Sequence, residues 1–367
     1  MEKQGALSGA IDLPTKQKLK TNYHKRMDDT EISNQTTSEW GKENFDVSAR
    51  FLSYLRSERT DTTTYEIAPT PLTGGIDSRI YQYKLEGKQS RVLRILPPTR
   101  DAKELFHLQT VYKTLSIHGI NVPLIHSVCD DKSILGGCFA VMDLLPGSTL
   151  SAQEPEIQTN VIGKTMASMH DLEVNPIIDE LKKSGIPEEH FLSPAVLKNQ
   201  LNIFEENYPW TSEHVYWLRD RLPLAGGKLS IIHGDYHAGN LMFEDGMVTG
   251  VLDWSFLIAD PAVDLAHIVN LCLLYAHHVI KDLNLDFLEN YRVQVFKSYS
   301  KIMPVDNKLI KTFRVLELLK ALCFADKIPE QFQSAQAQRE FIDFIEGATG
   351  LPLEFEHSTD KIETLCQ

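Results

Sequence analysis

Apolar residues are too sparse over residues 1–45 to form a stripe, and Lys, Gln, Ser, Thr and Asn dominate, which predicts a disordered or weakly helical extension. Folding is expected to begin near Phe45, since Val47, Phe51, Tyr54 and Leu55 recur at helical spacing. The runs IAPTPLTGGIDSRIYQYKLEG and QSRVLRILPP alternate and are β-branched, and Glu86-Gly87 joins them as strand, turn, strand. A helix is predicted from Asp101 to His118, with Leu105, Leu108, Val111, Tyr112 and Leu115 on one face and Gly119 as its stop. IHSVCDD and GGCFAVMDLLPG read as further strands, after which Leu144 to Thr149 leaves the sheet.

Helical patterning then covers Gln158–Leu172, Pro194–Asn207, Ser212–Leu222, Asp264–Ile280, Phe287–Met303 and Lys308–Phe324. One β-rich island interrupts it, SIIHGDYHAGNLMFEDGMVTGVLDWS, in which Leu241-Met242-Phe243 and Met247 to Leu252 flank the turn Glu244-Asp245-Gly246. There is no internal repeat. The expectation is an α+β protein: an extension over 1–45, a small β-rich lobe over 46–145, and a larger helical lobe over 146–367 carrying a polar β-hairpin.

At 367 residues, 42% hydrophobic and 24% charged, the chain reads as globular, which excludes collagen-like, disulfide-dense and wholly disordered classes. A net charge of −13 argues against nucleic acid partners, because phosphate neutralisation needs an excess of Lys and Arg. The excess is local: residues 146–367 hold eighteen bases against thirty-two acids, while the rest is nearly neutral. Five scattered cysteines without a CxxC suit reduced thiols, and the N-terminus lacks the apolar run of a secretory signal, so a cytoplasmic protein is expected. The most apolar stretch, Ile268 to Ala276, is too short to span a bilayer, and no membrane partner is expected.

The island holds the chemistry. Asn240 opens its first strand and Asp253 closes its second, so a hairpin places the two at the same end. An amide oxygen and a carboxylate are hard ligands that suit Mg²⁺, which takes few protein oxygens and completes its shell with phosphate and water. Asp235 can face the other side and accept a hydroxyl proton. That is the equipment of phosphoryl transfer from a nucleotide. His237 lies in the same loop, where it could touch phosphate or metal or else shape the loop, and Trp254 reads as core.

The string HGDYHAGN, followed by a hydrophobic-DW segment, resembles the aminoglycoside phosphotransferase and choline kinase family, small-molecule kinases with the protein-kinase-like fold. Asp260-Pro261-Ala262-Val263-Asp264-Leu265-Ala266 resembles its DPxxDLA segment, and the helix ending Met169-His170-Asp171-Leu172 its LHxL helix. The resemblance implies a bilobal fold, ATP or GTP as donor, Mg²⁺ as metal and a small-molecule hydroxyl as acceptor. It implies Asp235 as catalytic residue, Asn240 and Asp253 as metal ligands, and His233 and Asp264 as supports of the loop. Gly74, Gly75 and Ser78 would cover the phosphates, Arg94 would pair with them, and the segment around Met142 would hold the base. Where the family has a Glu to anchor the cation this chain has Gln109, which leaves open whether the cation is anchored by Gln109, by Glu104 a turn earlier, or by neither. The acidic second lobe favours a cationic acceptor such as an aminoglycoside, choline or another amine; neutral and acyl-thioester hydroxyls are the alternative, as is a nucleotide-binding scaffold without activity. HGD in place of HRD, DW in place of DFG and the lack of an APE segment argue against a protein kinase.

Overall fold

Pro69 and Pro71 remove two backbone donors from the strand Tyr65–Pro71, β1, and this strand takes the edge of its sheet, where the missing N–H groups break no ladder. The computed structural model describes residues 47–58, 63–72, 78–224, 227–279, 284–325, 328 and 330–355. The predicted extension over 1–45 lies outside the described residues, as do Gly74 and Gly75. Ser48–Gln367 cluster as one compact unit.

Helix α1 (Val47–Glu58) precedes β1, and β2 (Arg79–Leu85), β3 (Ser90–Ile95), β4 (Ile125–Cys129) and β5 (Phe139–Asp143) complete a five-stranded antiparallel sheet in the order β1-β2-β3-β5-β4. The run expected to be one strand before Glu86-Gly87 is thus two, β1 and β2. Thr73-Gly74-Gly75 breaks its alternation, and that turn signal outweighs the β-branched residues on either side. Period-2 alternation divides β3 between the two faces of the sheet. Leu93 and Ile95 face one side, where Phe139, opposite Ile95, meets Phe51 and Tyr54 of α1 edge-on. Val92 and Arg94 face the other, together with their cross-strand neighbours Met142 and Ala140. Helix α2 (Lys103–Ile117) falls within the predicted span and buries Leu105, Val111, Tyr112 and Leu115. The short α3 (Lys132–Leu135) leads into β5.

The second lobe contains α4 (Pro155–His170), α5 (Asn175–Lys183), α6 (Ser193–Asn207), α7 (Ser212–Arg221), α8 (Ala262–Asn270), α9 (Ala276–Val279), α10 (Leu285–Tyr299), α11 (Asn307–Cys323) and α12 (Ala335–Thr349). Pro155 starts α4 at its first turn, where a missing N–H is harmless, three residues before the predicted start. Helices α5 and α12 were not anticipated. The predicted helix Asp264–Ile280 is interrupted by a π-helical segment, Leu271–Tyr275, between α8 and α9, and Ile280 lies outside the described residues. Among the described residues no helix is long and apolar enough to cross a membrane.

Five short strands position the loop of interest. β7 (Ser230–Ile232) pairs antiparallel with β10 (Leu257–Ala259), an element the pattern did not signal. β8 (Leu241–Glu244) and β9 (Met247–Val251) form the predicted hairpin, and β6 (Ser148–Thr149) adds to β8. Asp245 and Gly246 turn the hairpin with φ of 51° and 83°, the two positive φ values that a tight type I′ turn requires.

Candidate active site

The buried strand β7 delivers the chain into His233-Gly234-Asp235, and the main chain there hangs from one carboxylate. Asp264, fully buried at the start of α8, accepts the His233 N–H at 2.9 Å and the Gly234 N–H at 2.7 Å. It also accepts from His170 Nε2 at 3.1 Å, while His170 Nδ1 pairs with the Tyr299 hydroxyl at 2.9 Å. Burial by itself would raise the Asp264 carboxyl, but these donors hold it below the usual carboxylate range. Gly234 has φ +85°, and a Cβ there would stand 2.9 Å from Cβ of Ser255, so the turn admits glycine for both conformation and space.

His233 completes the brace. Its Nδ1 accepts the Asp235 N–H at 3.1 Å and its Nε2–H donates to the Leu252 carbonyl at 2.7 Å, so its tautomer is fixed, and burial pulls it below the ordinary histidine range. The ring lies 4.7 Å from that of Trp254. His237 Nδ1 accepts the Gly239 N–H at 3.0 Å, and its Nε2 stands 3.5 Å from Asp235 Oδ1.

Asp235 is therefore placed from both sides. Oδ1 receives His267 Nε2 at 3.0 Å, and the Asn240 amide donates to Oδ2 at 3.2 Å and to the Asp235 carbonyl at 3.0 Å. Burial opposes ionisation, but the His237 and His267 contacts outweigh it and hold the carboxyl far below the usual carboxylate range. The side chain remains 43% exposed, so an acceptor can reach it. Donation through Nδ2 leaves Asn240 Oδ1 without a hydrogen-bond partner among the described residues.

Leu252 N donates to Asn240 O at 2.8 Å, which closes the hairpin and sets Asn240 beside Asp253 as the spacing predicted. Asp253 sits at φ +52°, a left-handed conformation that Asp tolerates better than bulky residues, and its carboxylate is 53% exposed. From the first lobe Arg94 Nη1 comes within 3.6 Å of Asp253 Oδ1 while its Nε donates to Ser78 Oγ at 3.0 Å. Neither candidate anchor holds this cation: Gln109 donates to the Ile125 carbonyl at 3.0 Å and Glu104 pairs with Arg100. Tyr112, one turn beyond Gln109, is buried, and that burial pushes its hydroxyl above the usual tyrosine range. Met142 shares the sheet face of Arg94.

Two residues joined to this site were not anticipated: His267, whose Nε2 meets Asp235, and Glu317, which meets His267 Nδ1. His267 extends the DPxxDLA segment by one residue, and Glu317 is the sole acid of α11; a lone carboxylate in the apolar run VLELLKALC was the signal that could have found it, since such a group is seldom buried unless paired.

A sheet lobe offering Arg94 to a polar hairpin on a helical lobe, with Asp235 and Asn240 in the loop before that hairpin and Asp253 at its end, is the arrangement of a bilobal kinase-like fold. The sequence matches the phosphotransferase enzyme family over residues 69–293, more than half of the chain, and the protein belongs to that family. Acyl-CoA dehydrogenase family member 11 of Homo sapiens is 28% identical over 207 residues, covering 50% of this chain and 26% of that protein. The chain thus spans about a quarter of the length of that relative. Aminoglycoside 3'-phosphotransferase of Streptomyces fradiae is 27% identical over 210 residues, covering 52% of this chain and 75% of that enzyme. Among solved structures, an amicoumacin kinase in complex with AMP-PNP, Ca²⁺ and Ami superposes with a TM-score of 0.53 at 16% identity, covering 84% of this chain and 97% of that one. Macrolide 2'-phosphotransferase type I gives 0.51 at 16% identity, covering 82% and 95%. At these identities the structures establish the bilobal fold.

Proposed function

We propose that the protein moves the γ-phosphate of ATP or GTP to a hydroxyl of a small molecule, with Asp235 receiving the hydroxyl proton and Asn240 and Asp253 holding Mg²⁺. The observation that carries this reading is the pairing of Asn240 with Asp235 in the loop, its closure by Leu252 N on Asn240 O next to Asp253, and the approach of Arg94 from the sheet to Asp253. The donor set fits the metal: Asn240 Oδ1 and an exposed carboxylate are two hard oxygens, and no cluster of three His, Cys, Asp or Glu competes for a softer ion among the described residues. When bound, Mg²⁺ neutralises the polyphosphate. Arg94 supplies a permanent cation to the same phosphates, oriented by Ser78, with Gly74 and Gly75 as the remainder of the covering loop. The base would lie along the segment at Met142. The domain limits 46–145 and 146–367 follow this division of labour, and four free thiols, Cys129, Cys138, Cys272 and Cys323, support a cytoplasmic location.

Asp235 is a weak base, so its work is alignment. It accepts a hydrogen bond from the acceptor hydroxyl, aims that oxygen in line with the phosphorus, and takes the proton late, as a loose transition state requires. An inert scaffold is the weaker reading, because Asp235, Asn240, Asp253 and Arg94 are all present in the sequence.

The aminoglycoside relative favours a cationic acceptor. The acidic charge of the second lobe adds little to that case: Glu205, Asp220 and Asp343 pair with arginines on helix surfaces, and Glu317 beside the site already accepts from three protein donors. The acyl-CoA dehydrogenase relative favours the alternative, an acyl-thioester hydroxyl.

Thermal unfolding with ATP or GTP, with and without Mg²⁺, tests the site. At a nucleotide concentration of a hundred times Kd the expected stabilisation is about 2.7 kcal/mol. Asp253→Ala should abolish the Mg²⁺-dependent part and leave the rest. Equal stabilisation of both proteins by Mg-nucleotide would remove Asp253 from the metal site.

A further inference from the structure

The Asp235 carboxylate is met by a histidine that is itself met by a second acid. His267 Nε2 stands 3.0 Å from Asp235 Oδ1 and its Nδ1 stands 2.8 Å from Glu317 Oε1. A neutral imidazole has one N–H and one lone pair, so it would turn a lone pair on one carboxylate; only the imidazolium satisfies both contacts. Glu317 is held for this role by the Asn270 amide at 2.9 Å and the Tyr275 hydroxyl at 3.1 Å. Tyr275 reaches it from the π-helical segment that breaks α8 from α9, so that irregularity has a structural use.

We propose that His267 is a positioning residue for phosphoryl transfer, fixing the orientation of Asp235 through its Nε2–H, and that Glu317 keeps it competent to do so across the neutral pH range. The proposal rests on the reading of Asp235 as the group that meets the acceptor hydroxyl.

The remaining contacts of Asp235 cannot do this alone. Asn240 reaches Oδ2 at 3.2 Å, and His237 stands 3.5 Å from Oδ1, whereas His267 gives the shortest contact from a side chain only 16% exposed. A displacement of the aligned oxygen by about 1 Å can lower turnover by about 10²-fold. The charged groups around His267 are Asp235, with His237 beyond it, from the loop, Glu317 from α11, Tyr275 from the π segment, and Arg314 one turn before Glu317, whose guanidinium donates to Asn270 at 2.8 Å. Burial disfavours a charged ring, and the two carboxylates outweigh it, Glu317 foremost. Replacing Glu317 with its amide removes the larger counterweight.

Two measurements on the full chain test this without knowledge of the acceptor: the imidazole ¹⁵N spectrum of His267, and the slow hydrolysis of Mg-ATP, in which water takes the place of the acceptor hydroxyl. In the wild type both ring nitrogens should carry protons at pH values above the ordinary histidine pKa of about 6.5. In Glu317→Gln the ring should lose its Nδ1 proton near neutrality and accept from the new amide, keeping Nε2–H on Asp235 through a bond that is no longer charge-assisted; hydrolysis should therefore fall in part along the same titration as pH rises, a response that a merely structural role would not produce. His267→Ala should lower hydrolysis by about 10²-fold with the KM for ATP unchanged, and His267→Gln, which can still donate to Asp235, should recover part of it without a pH inflection. A singly protonated His267 in the wild type at pH 7, or identical pH profiles for wild type and Glu317→Gln, would overturn the proposal. Asp235→Ala separates the failures: if it is inactive while His267→Ala is as active as wild type, only the positioning role falls; if it hydrolyses at the wild-type rate, the reading of Asp235 falls and takes the proposal with it.

Discussion

Asp235→Asn should lower kcat for transfer by about 10²- to 10⁴-fold, the usual contribution of a positioned acid or base, while nucleotide affinity stays within about twofold of wild type. The side chain sits against His267, His237 and Asn240, whereas the residues proposed to meet the phosphates and metal from the sheet and hairpin, Arg94 and Asp253, pair with each other. An amide at 235 can still accept from His267, so the loop should keep its shape, but it cannot take the proton of the attacking hydroxyl. Turnover and nucleotide titration measured on the same preparation check this. A variant with full turnover, or one that loses nucleotide binding in parallel, would show that Asp235 does something else.

The largest stability loss should follow Asp264→Ala. The substitution strips the acceptor from two main-chain N–H groups and a buried histidine at once, and losing one partner of a buried charged network costs about 3–5 kcal/mol. Denaturant unfolding checks the loss, and turnover should fall with it because His233 to Asp235 hang from that carboxylate. Asp264→Asn, which keeps one acceptor, should lie between the two. The pH dependence has a definite sign. The folded Asp264 pKa is depressed, so its stabilisation is present above the unfolded value of about 3.8–3.9 and is lost as pH falls through the lower folded value. Asp264→Ala should therefore flatten the acid limb of stability against pH. His233, also depressed, acts earlier: below about pH 6.5 the unfolded chain binds a proton that the folded chain refuses, so stability declines from there.

Sequence pattern reached the hairpin, its Asp-Gly turn and the adjacency of Asn240 and Asp253, because those features rest on local spacing and turn chemistry. It also pointed to His233 as a brace, from its place before Asp235, and to Asp264 as a support, through the DPxxDLA resemblance. It missed the split of the first strand run, where Gly-Gly outweighed alternation, and the strand Leu257–Ala259, whose partner lies across the loop. The surroundings of Arg94 stayed open in the sequence for a related reason. Gln109 occupies the expected helical position, yet its amide is spent on a strand carbonyl, and the cation turns to Ser78 and Asp253. His267 and Glu317 are fifty residues apart, and Tyr275 reaches Glu317 only through a π-helical segment that no periodicity announces. Contacts of that separation depend on how helices pack, and a one-dimensional pattern records only which face of each helix is apolar.

The central claim is that the phosphate goes to a hydroxyl of a small molecule under the control of Asp235. ³¹P NMR of the purified protein with Mg-ATP or Mg-GTP and a panel of amino alcohols, aminoglycosides, sugars and hydroxyacyl thioesters tests it most directly. The account predicts a phosphomonoester resonance with at least one acceptor, formed in equal amount with the nucleoside diphosphate by the wild type and lost in Asp235→Asn. The same ester produced at the same rate by both proteins would contradict it.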